Sequence, residues 1–238
     1  MRGLGTVINV AAIIAGGMTG ILCKKILQEK YQEAVIRACG IAVMFLGAAG
    51  TLAGMLVVSE DGSLAVQGTM MMILSLTAGA LIGEIIDIDG KFEQFGEWLK
   101  HRTGSDGDNQ FTGGFVAASL TVSIGAMAVI GSIQDGIYGD HTTLIAKAVL
   151  DFVIVLVMAS SMGMGCVFSF IPVAVLQGSV TALAFVLSGV MTETVLDNLS
   201  LVGNILIFCV GLNLIFKGTI RVANLLPALM IAVAAAFF

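Results

Sequence analysis

Long apolar stretches, separated by short polar connections, run through the whole chain. A helix needs about 20 mostly apolar residues to cross a hydrocarbon core of ~30 Å, because each residue rises ~1.5 Å and every backbone polar group must be bonded within the helix. This rule predicts eight membrane spans, at 3–23, 34–57, 67–86, 112–133, 143–162, 167–189, 199–216 and 221–238. The connection "SSMGMGC" is glycine-rich, so the fifth and sixth spans could instead form one broken helix or a re-entrant pair.

The composition supports an integral membrane protein with an all-α fold. Apolar residues make up 58% of the 238 positions and charged residues only 11%, whereas soluble domains carry about 25% charged residues. A secretory signal would be one short apolar core before a soluble chain, but here apolar segments recur to the last residue. We therefore expect no cleaved leader and a polytopic transmembrane helical bundle.

Basic residues predict the orientation of the spans, because loops on the cytoplasmic side retain Lys and Arg. Nine of the 11 basic residues fall on one side of the eight-span arrangement: Lys24, Lys25, Lys30, Arg37, Lys91, Lys100, Arg102, Lys217 and Arg221. The opposite side is acidic, with Arg2 and Lys147 as its basic exceptions. Both termini are therefore predicted to lie outside the cell.

One long polar segment, 88–111, separates the third span from the fourth. Within it, "KFEQFGEWLKHR" places Phe92, Phe95, Trp98 and Leu99 on one helical face, opposite charged residues. Such a pattern is typical of an amphipathic helix that lies in a membrane interface. The segment is predicted to lie on the cytoplasmic surface and to end in the polar linker "TGSDGDNQ".

Two stretches of the chain resemble each other. Gln67–Asp87 and Gln177–Asp197 align without a gap and share Gln67/Gln177, Gly68/Gly178, Gly79/Gly189 and Asp87/Asp197. If the whole three-span unit is duplicated, the second copy must enter the membrane upside down, which is the inverted repeat of many secondary transporters. The alternative is a chance likeness of two glycine-rich apolar helices. The repeat predicts four regions: 1–88, the linker 89–111, the inverted copy 112–198 and a C-terminal helical hairpin 199–238.

The chain also resembles a known family. "GSIQDGIYGDHTTLIAKAVLD" (131–151), "PVAVLQGS" (172–179), "GEIIDIDGKFEQFGEWLKHR" (83–102) and "IRVANLLPAL" (220–229) are similar to motifs of the YqgA/YdfK-like family of bacterial inner-membrane proteins. The resemblance covers essentially the whole chain. It implies a multi-pass protein of the bacterial cytoplasmic membrane, and it assigns no substrate and no site residue.

Polar residues inside apolar spans are costly, so each requires either a function or a partner. Asp151 lies inside the fifth span, where it could bind a coupling ion or pair with Lys147 one turn earlier near the outer interface. "GSIQDG" could unwind the end of the fourth span and expose carbonyls beside Asp135, or it could be an Asp-Gly turn. The site residues predicted from these patterns are Asp151, Gln177, Ser132, Gln134, Asp135, Ser179, Asn9 and Gln67.

Each of the remaining polar positions has a structural alternative. Gln67 and Gln177 could both cap helices at an interface, although Gln177 follows Pro172 within the sixth span and suits a midplane site. Asn9, Asn204 and Asn213 could bond neighbouring helices without any other role. Three acids at the inner end of the third span most simply face water, and an inner gate is the alternative; they are Glu84, Asp87 and Asp89.

Enzyme and nucleic-acid functions find no support in the sequence. The two histidines lie in polar connections, and the motifs HExxH, GxxxxGK[ST] and GxSxG do not occur. The four cysteines show no CxxC spacing, so neither a zinc site nor a disulfide framework is indicated. No basic patch suggests binding to nucleic acid.

The leading hypothesis is therefore a transporter of a small solute, without a resident cofactor and driven, if coupled, by a cation such as Na⁺ or H⁺. A passive channel and a non-transporting membrane scaffold are the alternatives. The last two spans lie outside the repeat, and small residues in "LPALMIAVAAAFF" suit a homodimer contact. These residues are Ala228, Ala232, Ala234 and Ala235.

The orientation can be tested at the amphipathic segment. In a background without native cysteines, Glu97→Cys should react with a membrane-impermeant maleimide added on the cytoplasmic side of inverted vesicles and should not react in intact cells. Rapid labelling in intact cells would reverse the predicted topology.

Overall fold

The computed structural model describes residues 2–24, 29–59, 62–123, 126–184, 192–216 and 219–237 of the chain. Its helices are α1 (Leu4–Lys24), α2 (Glu29–Met55), α3 (Thr69–Ile86), α4 (Ile88–Arg102), α5 (Phe111–Ser123), α6 (Ala126–Tyr138), α7 (Thr142–Met162), α8 (Phe170–Ala182), α9 (Glu193–Phe216) and α10 (Pro227–Ala235). Two 3₁₀ segments, Met164–Ser169 and Val222–Leu225, precede α8 and α10. Lys25, Glu60, Asp61, Lys217 and positions 185–189 of the sixth predicted span lie outside the described residues.

The helical class is confirmed, with one small addition. Strands β1 (Leu56–Val58) and β2 (Leu64–Val66) pair antiparallel, with Leu56 opposite Val66. This hairpin joins α2 to α3 in place of a plain loop. Its six strand residues are all leucine, valine or alanine, and the hydropathy rule counted the first two, Leu56 and Val57, as the end of a helix.

Several helices have the length and composition of membrane spans. Within the described residues, Leu4–Cys23, Thr69–Ile86, Thr142–Met162, Met164–Ala182 and Glu193–Phe216 qualify, and the bent pair α5–α6 makes a sixth if it is counted as one span. The second and eighth predicted spans correspond to the shorter apolar helical stretches Gly40–Met55 and Val222–Ala235. The count of eight therefore stays a prediction.

The distribution of apolar and polar side chains is that of a protein surrounded by lipid. Large apolar side chains are exposed on many helices, among them Ile85 (85%), Phe45 (73%) and Met230 (71%). Asn9, Asp135 and Ser132, in contrast, are completely buried. An apolar surface of this extent suits a hydrocarbon solvent and would be an aggregation liability in water.

Glycines allow three pairs of helices to pack backbone to backbone. A side chain at Gly16 or Gly20 of α1 would overlap the carbonyl oxygens of Phe152 and Leu156 in α7. Equivalent close approaches join Gly47 and Gly50 of α2 to Phe208 and Asn204 of α9, and Gly79 and Gly83 of α3 to Ala228 of α10 and Asn224. Gly16/Gly20 and Gly79/Gly83, each four residues apart on one helical face, are therefore packing positions of the GxxxG type.

The order of these contacts gives the relative directions of the helices. Positions advance together along α1 and α7, which are parallel, whereas they advance in opposite directions along α2 and α9 and along α3 and α10. One end of the bundle, here called the α4 end, holds α4, the end of α3 and the segment around Asn224, because the Asp89 N–H donates to Asn224 Oδ1 at 2.7 Å. The hairpin β1–β2 and the start of α7 lie toward the opposite end.

Helix α4 is the predicted amphipathic helix. Its apolar face packs against the start of α5, where Phe92 and Phe95 lie 6.5 Å and 5.7 Å from Phe115 between ring centroids. Leu99 is buried in the same cluster, whereas Trp98 remains 56% exposed. The face predicted for the membrane interface is thus partly used inside the chain.

The pairing of the helices leaves the inverted repeat a prediction. A two-fold exchange of the two three-span units would carry the pair α1–α7 onto a pair between α2 and the α5–α6 segment. In the described part of the chain, α2 packs mainly against α9 and also against α7. The aligned stretches also differ locally, because Gln67 precedes the start of α3 while Gln177 lies within α8.

The surface predicted for a homodimer is partly occupied within the chain. Ala228 and Ala232 are completely buried, and Ala228 lies against Gly79 of α3. These two alanines are therefore not available to a second copy, which corrects that part of the prediction. Ala234 is exposed, and the homodimer itself stays a prediction.

The glycine contacts make a specific prediction about stability. Gly16→Ala should lower the free energy of unfolding by about 1–3 kcal/mol, because its methyl group must displace the α7 backbone. Gly178→Ala in α8 is the matched control: nothing lies within 4 Å of its added Cβ, so alanine should be neutral or stabilising by about 0.5–1 kcal/mol. Thermal unfolding in detergent measures both, and equal effects of the two substitutions would contradict the packing described here.

Candidate functional site

The fourth predicted span is broken in the middle. Helix α5 is described as far as Ser123 and α6 from Ala126, and the axes of Phe111–Ser123 and Met127–Tyr138 differ in direction by 73°. The last four carbonyls of a helix have no partner within that helix, and its C-terminus carries a partial negative charge. A break inside an apolar span therefore requires an outside donor, preferably a cation.

Lys147 of α7 supplies that cation. Its Nζ donates to the Val122 carbonyl oxygen at 2.7 Å and to Asp151 Oδ1 and Oδ2 at 2.8 and 2.6 Å. Asn9 of α1 completes the group by donating from Nδ2 to Asp151 Oδ2 at 3.0 Å. The three side chains, here called the triad, join α1, α5 and α7.

The triad is buried near the middle of α7. Lys147 and Asp151 are 7% and 3% exposed and Asn9 is fully buried, and Asp151 lies close to the centre of the 21-residue helix. The predicted pairing with Lys147 is confirmed, and its predicted place near the outer interface stays a prediction. Helical spacing gave the pair, while its burial depends on α1 and α5 covering it.

Asp135 forms a second buried group, toward the opposite end of the bundle. Its carboxylate is completely buried and accepts from the backbone N–H groups of Gly3 and Gly5, each at 2.9 Å, and contacts His141 Nδ1 at 2.9 Å. The start of α1 is suited to a carboxylate because its first N–H groups have no helical partner and carry partial positive charge. Gly5 matters because an added Cβ would come within 3.0 Å of Asp135 Oδ2.

The motif "GSIQDG" forms neither of the two structures that the sequence suggested for it. Gly131–Gly136 lie inside the continuous helix α6, so the motif forms neither an unwound end nor a turn. The turn follows it, at Gly139, whose φ of 68° is left-handed. There Asp140 accepts from the N–H and hydroxyl of Thr142, and these bonds hold the pKa of Asp140 below its ordinary value.

Three predicted site residues carry buried polar atoms without a hydrogen-bond partner. They are Oδ1 of Asn9, Oγ of Ser132, and both Oε1 and Nε2 of Gln177. Gln177 lies in the interior of α8 and is 1% exposed, so it does not cap a helix. Buried polar atoms in folded proteins are nearly always bonded, and exceptions require an explanation.

The remaining predicted residues lie elsewhere. Gln67 is exposed, and its Nε2 donates to the Gly54 carbonyl at 3.4 Å without capping α3. Ser179 is exposed and donates to the Leu176 carbonyl of its own helix. Gln134 accepts from the Thr143 hydroxyl at 2.6 Å. The structure does not bring these three side chains into the triad.

A cavity of about 980 Å³ opens at the α4 end. Its lining includes polar residues of α2, α4 and the segment before α5, and its apolar walls include Ala117 and Leu120 of α5, Leu214 of α9 and Met162 of α7. Leu120 precedes the lysine-bound carbonyl of Val122 by two residues, which is about 3 Å along a helix axis. The wall at Leu120 is therefore close, along α5, to the carbonyl that Lys147 bonds, whereas the triad side chains themselves do not line the cavity.

Ion pairs lie around the mouth of this cavity. Arg221 bonds Glu84 at 3.0 Å and Asp87 at 2.7 Å, and Arg37 bonds Glu33 at 2.8 Å. Burial raises the pKa of Asp89, against the lowering effects of a bond at Ala223 and of Arg221. The three acids predicted to face water, Glu84, Asp87 and Asp89, are thus paired with Arg221. A gate requires such an arrangement, and an ordinary network of surface ion pairs also shows it.

The predicted amide bond between neighbouring helices is present at Asn9, which bonds Asp151 of α7, whereas Asn213 bonds the connection that follows its own helix. Its side chain donates to the Ile220 carbonyl and accepts from the Ile220 N–H at 2.9 Å, which fixes the chain after α9. Asn204 instead contacts Ser200 one turn earlier, at 3.4 Å. Within the described residues no group of three or more His, Cys, Asp or Glu side chains could hold a metal ion.

Sequence reasoning missed two connections of the site. The bond from Lys147 to Val122 could not be found, because the break after Ser123 has no Pro signal. The contact of His141 with Asp135 was missed because His141 was assigned to a polar connection. The spacing of these two residues across the turn at Gly139 was the available signal.

The chain is similar to known proteins over nearly its whole length. Residues 4–237 match the family described as "Protein of unknown function (DUF554)". The chain is 27% identical to the "Uncharacterized membrane protein YdfK" of Bacillus subtilis (strain 168), over 95% of this chain and 93% of that protein. It is 26% identical to the "Uncharacterized protein YqgA" of Escherichia coli (strain K12), over 96% and 94%. No solved structure matches the chain.

The triad predicts a compensating pair of substitutions. Asp151→Asn or Lys147→Met alone should lower the free energy of unfolding by about 3–5 kcal/mol, because each leaves a buried charge unpaired. The double variant should recover most of this loss, because it buries no charge.

Thermal unfolding of the four proteins in one detergent measures the effect. Glu33→Gln, which breaks an exposed pair with Arg37, is the control and should leave the midpoint nearly unchanged. A double variant no more stable than the weaker single variant would show that the pairing is not what holds these residues in place.

Proposed function

Since the chain belongs to the DUF554 family of proteins of unknown function, we propose its activity from its own geometry: it is a secondary transporter of a small solute. We propose further that it crosses the bacterial cytoplasmic membrane several times with both termini outside. In this arrangement the α4 end faces the cytoplasm, as the distribution of basic residues predicts. The inverted 3+3 repeat remains part of the proposal.

The observation that carries the proposal is the place of the triad. A cavity at the α4 end is lined by Leu120 of α5, and a buried Lys–Asp–Asn group bonds the same helix two residues further along, where the span bends. Ionisable groups inside membrane spans are rare and commonly mark substrate or ion pathways. Broken helices whose ends face such groups are a recurrent feature of transporter binding sites.

The opposite end supports an inward-open state. There Asp135 draws together the start of α1, α6 and His141, and the Thr6 and Thr181 hydroxyls lie 3.5 Å apart. A solute in the cavity would find this side closed. Alternating access requires a second state in which these bonds open while the mouth near Arg221 closes.

A passive channel is less well supported by this arrangement. A channel requires a continuous polar path, whereas here buried hydrogen bonds among α1, α5, α6 and α7 block the route between the two ends. A scaffold function would explain the triad as structural, but it gives no role to the unbonded amide of Gln177.

Two-sided accessibility tests the proposal without knowledge of the solute. In a background without native cysteines, Leu120→Cys should react with an impermeant maleimide from the α4 side, and Ser132→Cys slowly from the opposite side. In the double variant, prior modification at position 120 should hold the cavity open and slow the reaction at position 132.

Ser179→Cys is the control for this experiment, because its side chain is exposed on the apolar outside of α8 and should stay unreactive in lipid. No reaction at position 132 from either side would favour a scaffold. Reaction at 120 and 132 that is independent, together with ion conductance across a bilayer, would favour a channel.

A further inference from the structure

The orphan polar atoms of Asn9, Ser132 and Gln177 belong to three helices that pack on one another. Helix α8 contacts both α1 and α6, and each helix contributes one of the three buried side chains. Thr6 of α1 meets Thr181 of α8 through their hydroxyls, and Gly136 of α6 lies directly against the Thr181 carbonyl. Thr181 is thus a common reference point for all three helices.

The directions of the helices place the three side chains in one layer. Helix α1 runs antiparallel to α8, because Thr6 meets Thr181 while Gly17 meets Val167 just before α8. Helix α6 forms an antiparallel hairpin with α7, which is parallel to α1, so α6 runs parallel to α8.

One helical turn from the contacts at Thr181 toward the middle of the bundle leads to the same depth on each of the three helices, because three or four residues rise about 5–6 Å. That turn ends at Asn9 on α1, Ser132 on α6 and Gln177 on α8. All three are at most 1% exposed. They form one polar layer, whose oxygens without a partner are Asn9 Oδ1, Ser132 Oγ and Gln177 Oε1.

The layer continues into the triad through Asn9. Its Nδ2 is bonded to Asp151, so its Oδ1, on the other branch of the amide, is left for the layer. The Asp151 charge is balanced by Lys147 at 2.6 Å, and the nearby C-terminus of α5 adds a partial negative charge. The surroundings are therefore close to neutral and slightly negative.

This chemistry selects the ligand. Uncharged oxygens together with a helix C-terminus stabilise a cation, and they coordinate Na⁺ in the broken helices of transporters. A divalent ion would require more carboxylate charge than this layer offers, and an anion would meet oxygens of the wrong sign. Amide, hydroxyl and carbonyl oxygens are suited to an alkali cation that exchanges its hydration shell for them.

We propose that the layer of Asn9, Ser132 and Gln177 binds a monovalent alkali cation beside the Lys147–Asp151 pair. The ion bridges α1, α6 and α8 and gives the Gln177 Oε1 oxygen a partner. Its role as the driving ion of transport rests on the proposed function, whereas the binding site itself does not. Bound there, the cation favours the state in which α1 and α6 are joined across Asp135.

Thermal unfolding in matched salts tests the site. The purified chain is heated in NaCl, KCl, N-methyl-D-glucamine chloride and MgCl₂ at equal ionic strength. Na⁺ or K⁺ should raise the unfolding midpoint by about 3–6 °C over N-methyl-D-glucamine at tenfold excess over the dissociation constant. Equal midpoints in the three monovalent salts, or stabilisation by Mg²⁺ alone, would overturn the proposal.

Substitutions connect the effect to the layer. Gln177→Leu should abolish the shift while raising the midpoint in N-methyl-D-glucamine, because it removes a buried amide without a partner. Ser132→Ala should raise the salt concentration at half-maximal stabilisation about tenfold, and it decides the case if Gln177→Leu does not fold. Gln134→Leu and Ser179→Ala, on the same two helices but outside the layer, should keep the full shift.

The result is independent of the transport experiment. A cation shift that depends on Gln177, without two-sided accessibility, would establish the ion site and contradict the transporter. Two-sided accessibility without a cation shift would leave the transporter and remove the ion site. A shift that persists in Gln177→Leu would place the ion elsewhere and overturn the proposal.

Discussion

The rest of this structure depends on the cost of an unbonded polar group in a hydrocarbon solvent. Water cannot satisfy a free carbonyl there, and at the bend between α5 and α6 the Lys147 ammonium bonds the Val122 oxygen. The ammonium in turn requires Asp151, and Asp151 recruits Asn9. One broken helix thereby fixes the relative positions of α1, α5 and α7.

Glycine contacts and polar contacts contribute differently to the packing of the helices. Gly16 and Gly20 bring the α1 and α7 backbones together along one face, which gives dispersion contacts but little specificity of depth. The bond between Asn9 and Asp151 sets the register of the two helices. At the α4 end, the pairs of Arg221 and the bonds of Asn213 do the same for the segment between α9 and α10.

The features read correctly from the sequence are those encoded by neighbouring residues. The helical class, the amphipathic α4 and the pairing of Lys147 with Asp151 follow from local periodicity and spacing. The burial of that pair beneath α1 and α5, the continuous helix through Gly131–Gly136 and the bend after Ser123 do not. Each of these depends on which distant helix supplies a partner, and hydropathy carries no information about contacts between spans. For Asn9 and Gln177 the sequence predicted a polar site, but only packing shows that α1, α6 and α8 meet.

The central claim is that the cavity at the α4 end opens and closes around a fixed polar layer. Spin labels at Glu33→Cys of α2 and Asn109→Cys before α5, which both line the cavity, report the distance between these segments by double electron–electron resonance in lipid nanodiscs. The account predicts two distance populations whose ratio changes between N-methyl-D-glucamine and the stabilising alkali cation, and a constant ratio in Gln177→Leu. A single narrow distance under all these conditions would contradict it.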